Sequence, residues 1–181
     1  MKTTNISTKS FGKPITAPVL VPVKHKSSPI CINNPFYANG GWHKITAISF
    51  GNPHGAVFVD DIDSVDVESL GAALGTHVLF PEGASIVFIQ VIDKKSLKAR
   101  LWQRDEGEKE FSAEAVCVAG VAAMMNHKVL CNTADVTFGS DAFKVKWDRG
   151  GEKVSLTGSA ELLQDWHEKA VVYRRIRQKA V

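Results

Sequence analysis

The stretch AEAVCVAGVAAMM, residues 113–125, constrains the fold more than any other. Nearly every position is apolar and most are small. An ordinary surface helix keeps a polar face for water, and a helix that is apolar all round has to be enclosed by protein. Small side chains let neighbouring backbones approach it closely. Ser112, just before it, is a preferred N-cap residue, and Asn126 and His127 end it. The segments on both sides read as short strands, so the chain has to wrap strands around this helix.

HKITAISF (43–50) alternates like a strand and ends at a Gly-Asn-Pro turn, and GAVFVDD (55–61) is a second strand. VESLGAALGTHVLF (67–80) opens as a short helix, with Leu70, Ala73 and Leu74 at helical spacing, and Pro81 and Gly83 break it. SIVFIQVID (85–93) is a continuous β run of the kind buried on both faces. LKARLWQRD (97–105) alternates and pairs with it across a Lys-Lys-Ser turn. Beyond the apolar helix, VLCNTADVTF (129–138), AFKVKWD (142–148) and KVSLTGSAEL (153–162) read as strands, with Gly150-Gly151 as a hairpin turn. From Gln164 the tail places Trp166, Ala170, Tyr173 and Ile176 on one side of a helix.

The N-terminal part is Thr-, Ser-, Lys- and Pro-rich. Its β-like patch APVLVPVKH (17–25) contains Pro18 and Pro22, which demote it to an edge strand or an extended arm. NNPFYANGG (33–41) is dense in turn residues and reads as a hinge. The expected organisation is an arm over 1–41, partly extended or flexible, a compact lobe over 42–163, and a basic helix over 164–181. The fold class is α+β: mixed strands wrapped around a buried central helix, with a second helix outside. No GxGxxG or P-loop suggests a doubly wound nucleotide fold.

With 44% hydrophobic and 23% charged residues among 181, the composition is that of a globular chain. No apolar run reaches the roughly 18–20 residues that span a bilayer, and no apolar core follows the basic N-terminus, so neither membrane nor secretory signal is expected. Cys31, Cys117 and Cys131 form no even, closely spaced set, which argues against a disulfide framework and for a reducing cytoplasm. No CxxC, HExxH or His/Cys cluster supports a metal or another cofactor. A net charge of +3 is too mild to imply nucleic acid by itself. The acidic stretch DDIDSVDVE (60–68) and the basic stretch YRRIRQK (173–179) read as solvated surface. The other reading of the second is contact with nucleic acid or an acidic partner through Arg174, Arg175 and Arg177.

Five segments resemble the diaminopimelate epimerase family, in order and at matching spacings. They are GNPHGAVFVDDIDSVDVESLG (51–71), HVLFPEGASIVFIQVID (77–93), RLWQRDEGE (100–108), EFSAEAVCVAGVAA (110–123) and LTGSAEL (156–162). The resemblance covers about residues 48–163. It implies a lobe of strands around a central helix, one of two such lobes in the family, each supplying one catalytic cysteine and neither using a metal or pyridoxal cofactor. It further implies that this chain holds the C-terminal lobe only. Cys31, in SPICINNP, does not resemble the family's Cys-Gly-Asn-Gly turn.

Residue by residue, the resemblance aligns Ser112 with the second catalytic cysteine. A hydroxyl is a far weaker base than a thiolate near neutral pH, and no Ser/His/Asp set stands ready to activate it. The family's Gly-Thr-Gly is Ala113-Glu114-Ala115 here, so Glu114 places a carboxylate where a substrate carboxylate is expected. Both residues suit a helix start, Ser112 as cap and Glu114 as first-turn acid. Cys117 reads as a small core residue. The family's glutamate before its arginine is Gln103, and its asparagine in the following strand segment is Ser85. Asn52, His54 and Arg104 still match, which makes Asn52, His54, Ser85, Arg104 and Glu114 the ligand-binding candidates around a degenerate catalytic position. The other readings are a turn at Asn52-Pro53, a satisfied polar residue for His54, and pairing of Arg104 with Asp105, Glu106 or Glu108.

Three functions remain open on this reading. The first is an epimerase-like protein without epimerase activity that binds a partner, a protein above all. The second is a cofactor-independent racemase, epimerase or isomerase whose site is rebuilt across a homodimer. The third is a binder of nucleic acid or a nucleoprotein complex through the basic tail.

Overall fold

A computed structural model describes residues 5–25, 28–150 and 153–164. Its strands are β1 (Ile6–Gly12), β2 (Asn34–Ala38), β3 (Gly41–Ser49), β4 (Pro53–Phe58), β5 (Ser85–Val91), β6 (Ser96–Gln103), β7 (Gly107–Lys109), β8 (Thr133–Phe138), β9 (Asp141–Asp148) and β10 (Lys153–Ser159). Its helices are α1 (Val67–Gly75), α2 (Ala113–Met125) and the single turn α3 (Ala160–Leu163). All ten strands belong to one mixed sheet in the order β1-β10-β9-β8-β6-β5-β4-β3-β2, with β7 paired to the part of β6 that β8 does not reach.

Two pairs are parallel, β4 with β5 and β6 with β8. The chain crosses through α1 between the first pair and through α2 between the second. Both crossovers step in the same direction along the sheet, but β5 and β6 are antiparallel, so the two units run in opposite senses. Right-handed crossovers of opposite sense put their helices on opposite faces. The core divides accordingly. Ile48, Ala56, Val87, Ile89, Leu97, Ala99 and Leu101 pack with α2. Ile45, Val57, Ile86, Phe88 and Trp102 pack with Val67 and Leu74 of α1. The alternation within β5, Val87 and Ile89 inward and Ile86 and Phe88 outward, is the period-2 geometry of a strand buried on both faces.

α2 packs against β3, β4, β5, β6, β8, β9 and β10, and every residue of it but Met125 is buried. Its span agrees with the expected helix, and α1 is the helix outside. Close packing depends on missing side chains. A Cβ on Gly120 would stand 2.7 Å from Val145 of β9, and one on Gly71 of α1 would stand 2.4 Å from the Trp102 side chain.

Five segments differ from the sequence reading. NNPFYANGG is not a hinge: Asn34–Ala38 is an edge strand, and Asn39 and Gly40, at φ 50° and 79°, form the two-residue turn into β3. Asn-Gly is the favoured pair for such a turn because both positions need positive φ. Pro35 is tolerated because β2 is the last strand of the sheet, where an absent N–H costs no pairing. APVLVPVKH forms no strand; turns over residues 18–22, closed by bonds such as Val21 N to Ala17 O at 3.0 Å, carry Val21 and Val23 into the outer core. Ile6–Gly12 of the expected arm is a sheet strand against β10. The strands read over 129–138 and 153–162 are shorter, the first beginning at Thr133 and the second ending at Ser159 with α3 following. The basic helix over 164–181, apart from Gln164, and Gly151 of the expected hairpin turn lie outside the described residues.

Candidate functional site

The N-terminus of α2 faces the connection between β3 and β4. Ser112 is extended, at φ −137° and ψ 150°, and its hydroxyl accepts a hydrogen bond from the backbone N–H of Ala115 at 3.1 Å. It is an N-cap, which satisfies one of the donors left open at a helix start. One turn in, Glu114 is buried at 8% exposure. Its carboxylate accepts from Asn52 Nδ2, at 3.2 Å to Oε2 and 3.5 Å to Oε1. Gly51, at φ 138°, passes close enough that a Cβ there would lie 3.6 Å from Glu114 Oε1.

His54, the second residue of β4, is buried at 3% exposure, and its Nδ1 donates to the Asn52 carbonyl at 2.9 Å. Burial pushes its imidazole pKa down; the Glu114 carboxylate and the Asn52 carbonyl pull it up less strongly, and the Arg104 charge adds to the downward push. Ser85 is the register partner of His54 across the parallel β4–β5 pair. Its hydroxyl accepts from Arg104 N at 3.1 Å. The Arg104 guanidinium turns onto the 82–83 loop, donating to the carbonyls of Glu82 and Gly83, and lies 3.6 Å from Asp105.

The structure therefore gathers Asn52, His54 and Glu114 into one bonded cluster at the mouth of α2, with Ser112 as the cap beside it. Ser85 and Arg104 are neighbours of that cluster whose polar groups close the 82–83 turn. Arg104 meets Asp105, one of its three expected partners; Glu108 pairs with Arg100, and Glu106 takes Gln103 and Lys109. Asn52 both lies in the connection before β4 and holds Glu114. Gly51 joins these residues; its only mark in the sequence is a glycine directly before Asn-Pro, where a bent connection needs positive φ.

Cys117 lies within α2 at 0% exposure, with burial and then the Glu114 charge holding its thiol well above the ordinary range. It is core, as read. Cys31 is buried in the outer core and pushed up to about 11 by burial. Arg174, Arg175 and Arg177 lie outside the described residues. Among the described residues no group of three or more His, Cys, Asp or Glu is placed to hold a metal ion, and no helix is long and apolar enough to cross a membrane.

The bonded cluster can hold a carboxylate at a helix start, and the carboxylate it holds is the chain's own. Comparison with known proteins gives this arrangement its setting. A family profile described as Diaminopimelate epimerase matches residues 46–163. The Diaminopimelate epimerase of Oceanobacillus iheyensis is 35% identical over 161 residues, 88% of this chain and 56% of that protein. That of Desulforapulum autotrophicum is 34% identical over 150 residues, 83% of this chain and 52% of that protein. The chain spans about half the length of these relatives. Among solved structures, a hydroxyproline epimerase from Agrobacterium vitis with bound trans-4-hydroxy-L-proline superposes with a TM-score of 0.55 at 12% identity, covering 86% of this chain and 50% of that one, and so shares the fold. With profile, relatives and architecture in agreement, the chain belongs to the diaminopimelate epimerase family, as an α+β lobe wrapped around one buried helix.

Proposed function

We propose that this lobe has given up proton transfer at an amino-acid α-carbon and serves as a binding protein built on the epimerase fold, with a protein as its partner. The observation that carries the first half is Glu114. In the resemblance this position belongs to the turn that receives a substrate carboxylate. Here the Glu114 side chain occupies the helix mouth and takes the Asn52 amide for itself. A second carboxylate brought into that buried space would meet a like charge with its best donor already engaged. Ser112 adds to this: its hydroxyl accepts from the Ala115 N–H, and among the described residues no base is bonded to it to raise its nucleophilicity.

The partner half draws support from the edge hairpin. Tyr37 and Trp42 are 55% and 72% exposed, and their rings contact each other edge-on with centroids 5.3 Å apart. Exposed aromatic pairs of this kind are frequent anchors of protein interfaces.

The catalytic half is tested by incubating the purified protein with diaminopimelate in deuterated water and following α-proton exchange by NMR. Exchange no faster than in buffer is expected. Exchange at enzymatic rates would overturn the reading.

A further inference from the structure

The outer face of the sheet is covered over only part of its width. α1 packs against β2, β5, β6 and β7, and the outer face of β8, β9, β10 and β1 is left to solvent. On the first three of these strands every second residue goes inward to the core around α2: Val136 and Phe138, Phe143 and Val145, Val154 and Leu156. The residues between them point the other way. On β9 these are Lys144 and Lys146, and on β10 Lys153, Ser155 and Thr157. Thr133 and Thr137 of β8 lie on one side of them. Thr8 of β1 lies on the other, its hydroxyl 2.8 Å from that of Thr157. Lys98 of β6, the register partner of Thr137, borders the face.

The register sets the spacing. Lys144 and Lys146 stand two residues apart on one strand, about 7 Å. Ser155 is opposite Lys146 and Thr157 opposite Lys144. Lys153 is then the diagonal neighbour of Lys146, about 7–8 Å away. Hydroxyls therefore alternate with ammonium groups. Lys98, Lys144, Lys146 and Lys153 are all exposed, and none forms an ion pair among the described residues. Two acids share the face. Asp135 is paired with Lys95 at 3.2 Å, and Asp148 accepts from Gly150 N at 3.2 Å. The lysines outnumber them, so the face is basic although the net charge of the chain is a mild +3.

The chemistry of the face selects among anionic partners. Protein interfaces are built around aromatic and apolar anchors and are depleted in Lys and Ser. The one large exposed apolar side chain on β1, β8, β9 and β10 is Ile6, at the end of β1. An anionic membrane needs apolar side chains to enter the headgroup boundary, which this face lacks. Single-stranded nucleic acid is held largely by stacking on aromatic rings. The exposed rings, Tyr37 and Trp42, belong to β2 and β3 instead. Backbone phosphates of a duplex ask for neither, and Lys, Ser and Thr are among their usual donors.

We propose that this face binds the phosphate backbone of a nucleic-acid duplex without reading its sequence. Lys98, Lys144, Lys146 and Lys153 meet phosphate oxygens, and the hydroxyls of Ser155 and Thr157 donate between them. The face involves neither the Glu114 cluster nor the Tyr37–Trp42 pair, so it stands whether or not the lobe has a protein partner.

Fluorescence anisotropy of a short labelled DNA duplex, titrated with the full chain over a series of salt concentrations, tests the assignment. The basic stretch 173–179 carries charge of its own. The titrations are therefore made in the chain carrying Arg174→Gln, Arg175→Gln and Arg177→Gln, with and without Lys144→Gln and Lys146→Gln. Binding that weakens with salt is expected, log K falling by about 0.9 per log unit of salt for each phosphate neutralised. The two lysine substitutions should lower that slope by about 2 and weaken binding at low salt at least fivefold. Both lysines are exposed, so the unfolding midpoint should not move. A duplex of unrelated sequence should bind within twofold. Absence of binding at low salt, an affinity unchanged by the lysine substitutions, or tighter binding of a poly-glutamate peptide or of phosphatidylserine vesicles than of the duplex would each overturn the assignment.

Discussion

α1 and α2 start with the same local grammar and end in different roles. Each has a side-chain cap, Asp66 accepting from Ser69 N and Ser112 accepting from Ala115 N, and each has an acid in its first turn, Glu68 and Glu114. Each also follows a strand in a parallel crossover. The difference lies in what surrounds them. α1 covers the outer face of the sheet, and Glu68 is exposed, accepting from Glu108 N at 2.7 Å. α2 is enclosed, so Glu114 is drawn below the surface and has to be matched there by Asn52. The same residue type at the same helix position is a surface dipole partner in one case and the occupant of a buried site in the other. Burial, rather than the cap motif, sets the consequence.

The largest test of that contrast is steric. Gly120 and Gly71 each let a helix touch the sheet, against Val145 and Trp102 respectively. α2 has strands on every side and nowhere to retreat, whereas α1 can lift toward solvent. Gly120→Val should cost about 3 kcal/mol, the upper part of the overpacking range, and Gly71→Ala about 1–2 kcal/mol. Urea unfolding midpoints of both variants measure this, and equal losses would break the distinction between an enclosed and a covering helix.

A smaller test compares the two acids. Glu114→Ala leaves the Asn52 amide without its carboxylate in a partly buried place and should cost about 1–2 kcal/mol. Glu68→Ala loses an exposed contact and should cost about 0.5 kcal/mol. Glu114→Gln, which keeps an acceptor and removes the charge, should fall between them. If Glu114→Ala instead stabilised the chain, the carboxylate would be strained in its site, and the view that it has settled there as a structural residue would fail.

The same contrast explains how much of the molecule was legible from sequence. A helix apolar on all sides identifies itself, because no arrangement of neighbours other than full enclosure suits it, and α2 was read to its end residues. β5 was legible for the same reason. Segments whose conformation depends on position in the sheet were not. Pro35 and the asparagines around it argue against a strand unless the strand is known to be an edge. Asn39-Gly40 carries a hairpin signal, but the turn residues on both sides of it hide where the strands begin and end. β1, ISTKSFG, buries Phe11 but exposes Ile6, so its sequence has little apolar alternation to reveal a strand. The Ser112 cap and the first-turn position of Glu114 follow from local rules. The bond from Asn52 to Glu114 joins residues 62 positions apart, and only the fold could bring them together.

His54 supplies the finest test, because it reports the electrostatics of the Glu114 cluster without contributing to the helix. Burial holds its pKa below the ordinary 6.5 in the folded chain. Above about pH 6.5 the ring is neutral in both states and pH has no effect through it. Below that, the unfolded chain takes up a proton that the folded chain refuses, so stability falls as pH drops toward the folded pKa. The slope for one proton is at most about 1.4 kcal/mol per pH unit. Replacing the ring by His54→Asn, which retains a donor for the Asn52 carbonyl, should remove this component from the pH profile of the unfolding free energy. Glu114→Gln should act in the opposite way. The Glu114 charge favours the protonated ring, so its loss lowers the folded pKa further and extends the fall in stability to lower pH. A profile unchanged by Glu114→Gln would mean that the carboxylate and the imidazole do not sense each other, and that Glu114 is tied to the β3–β4 connection through Asn52 alone.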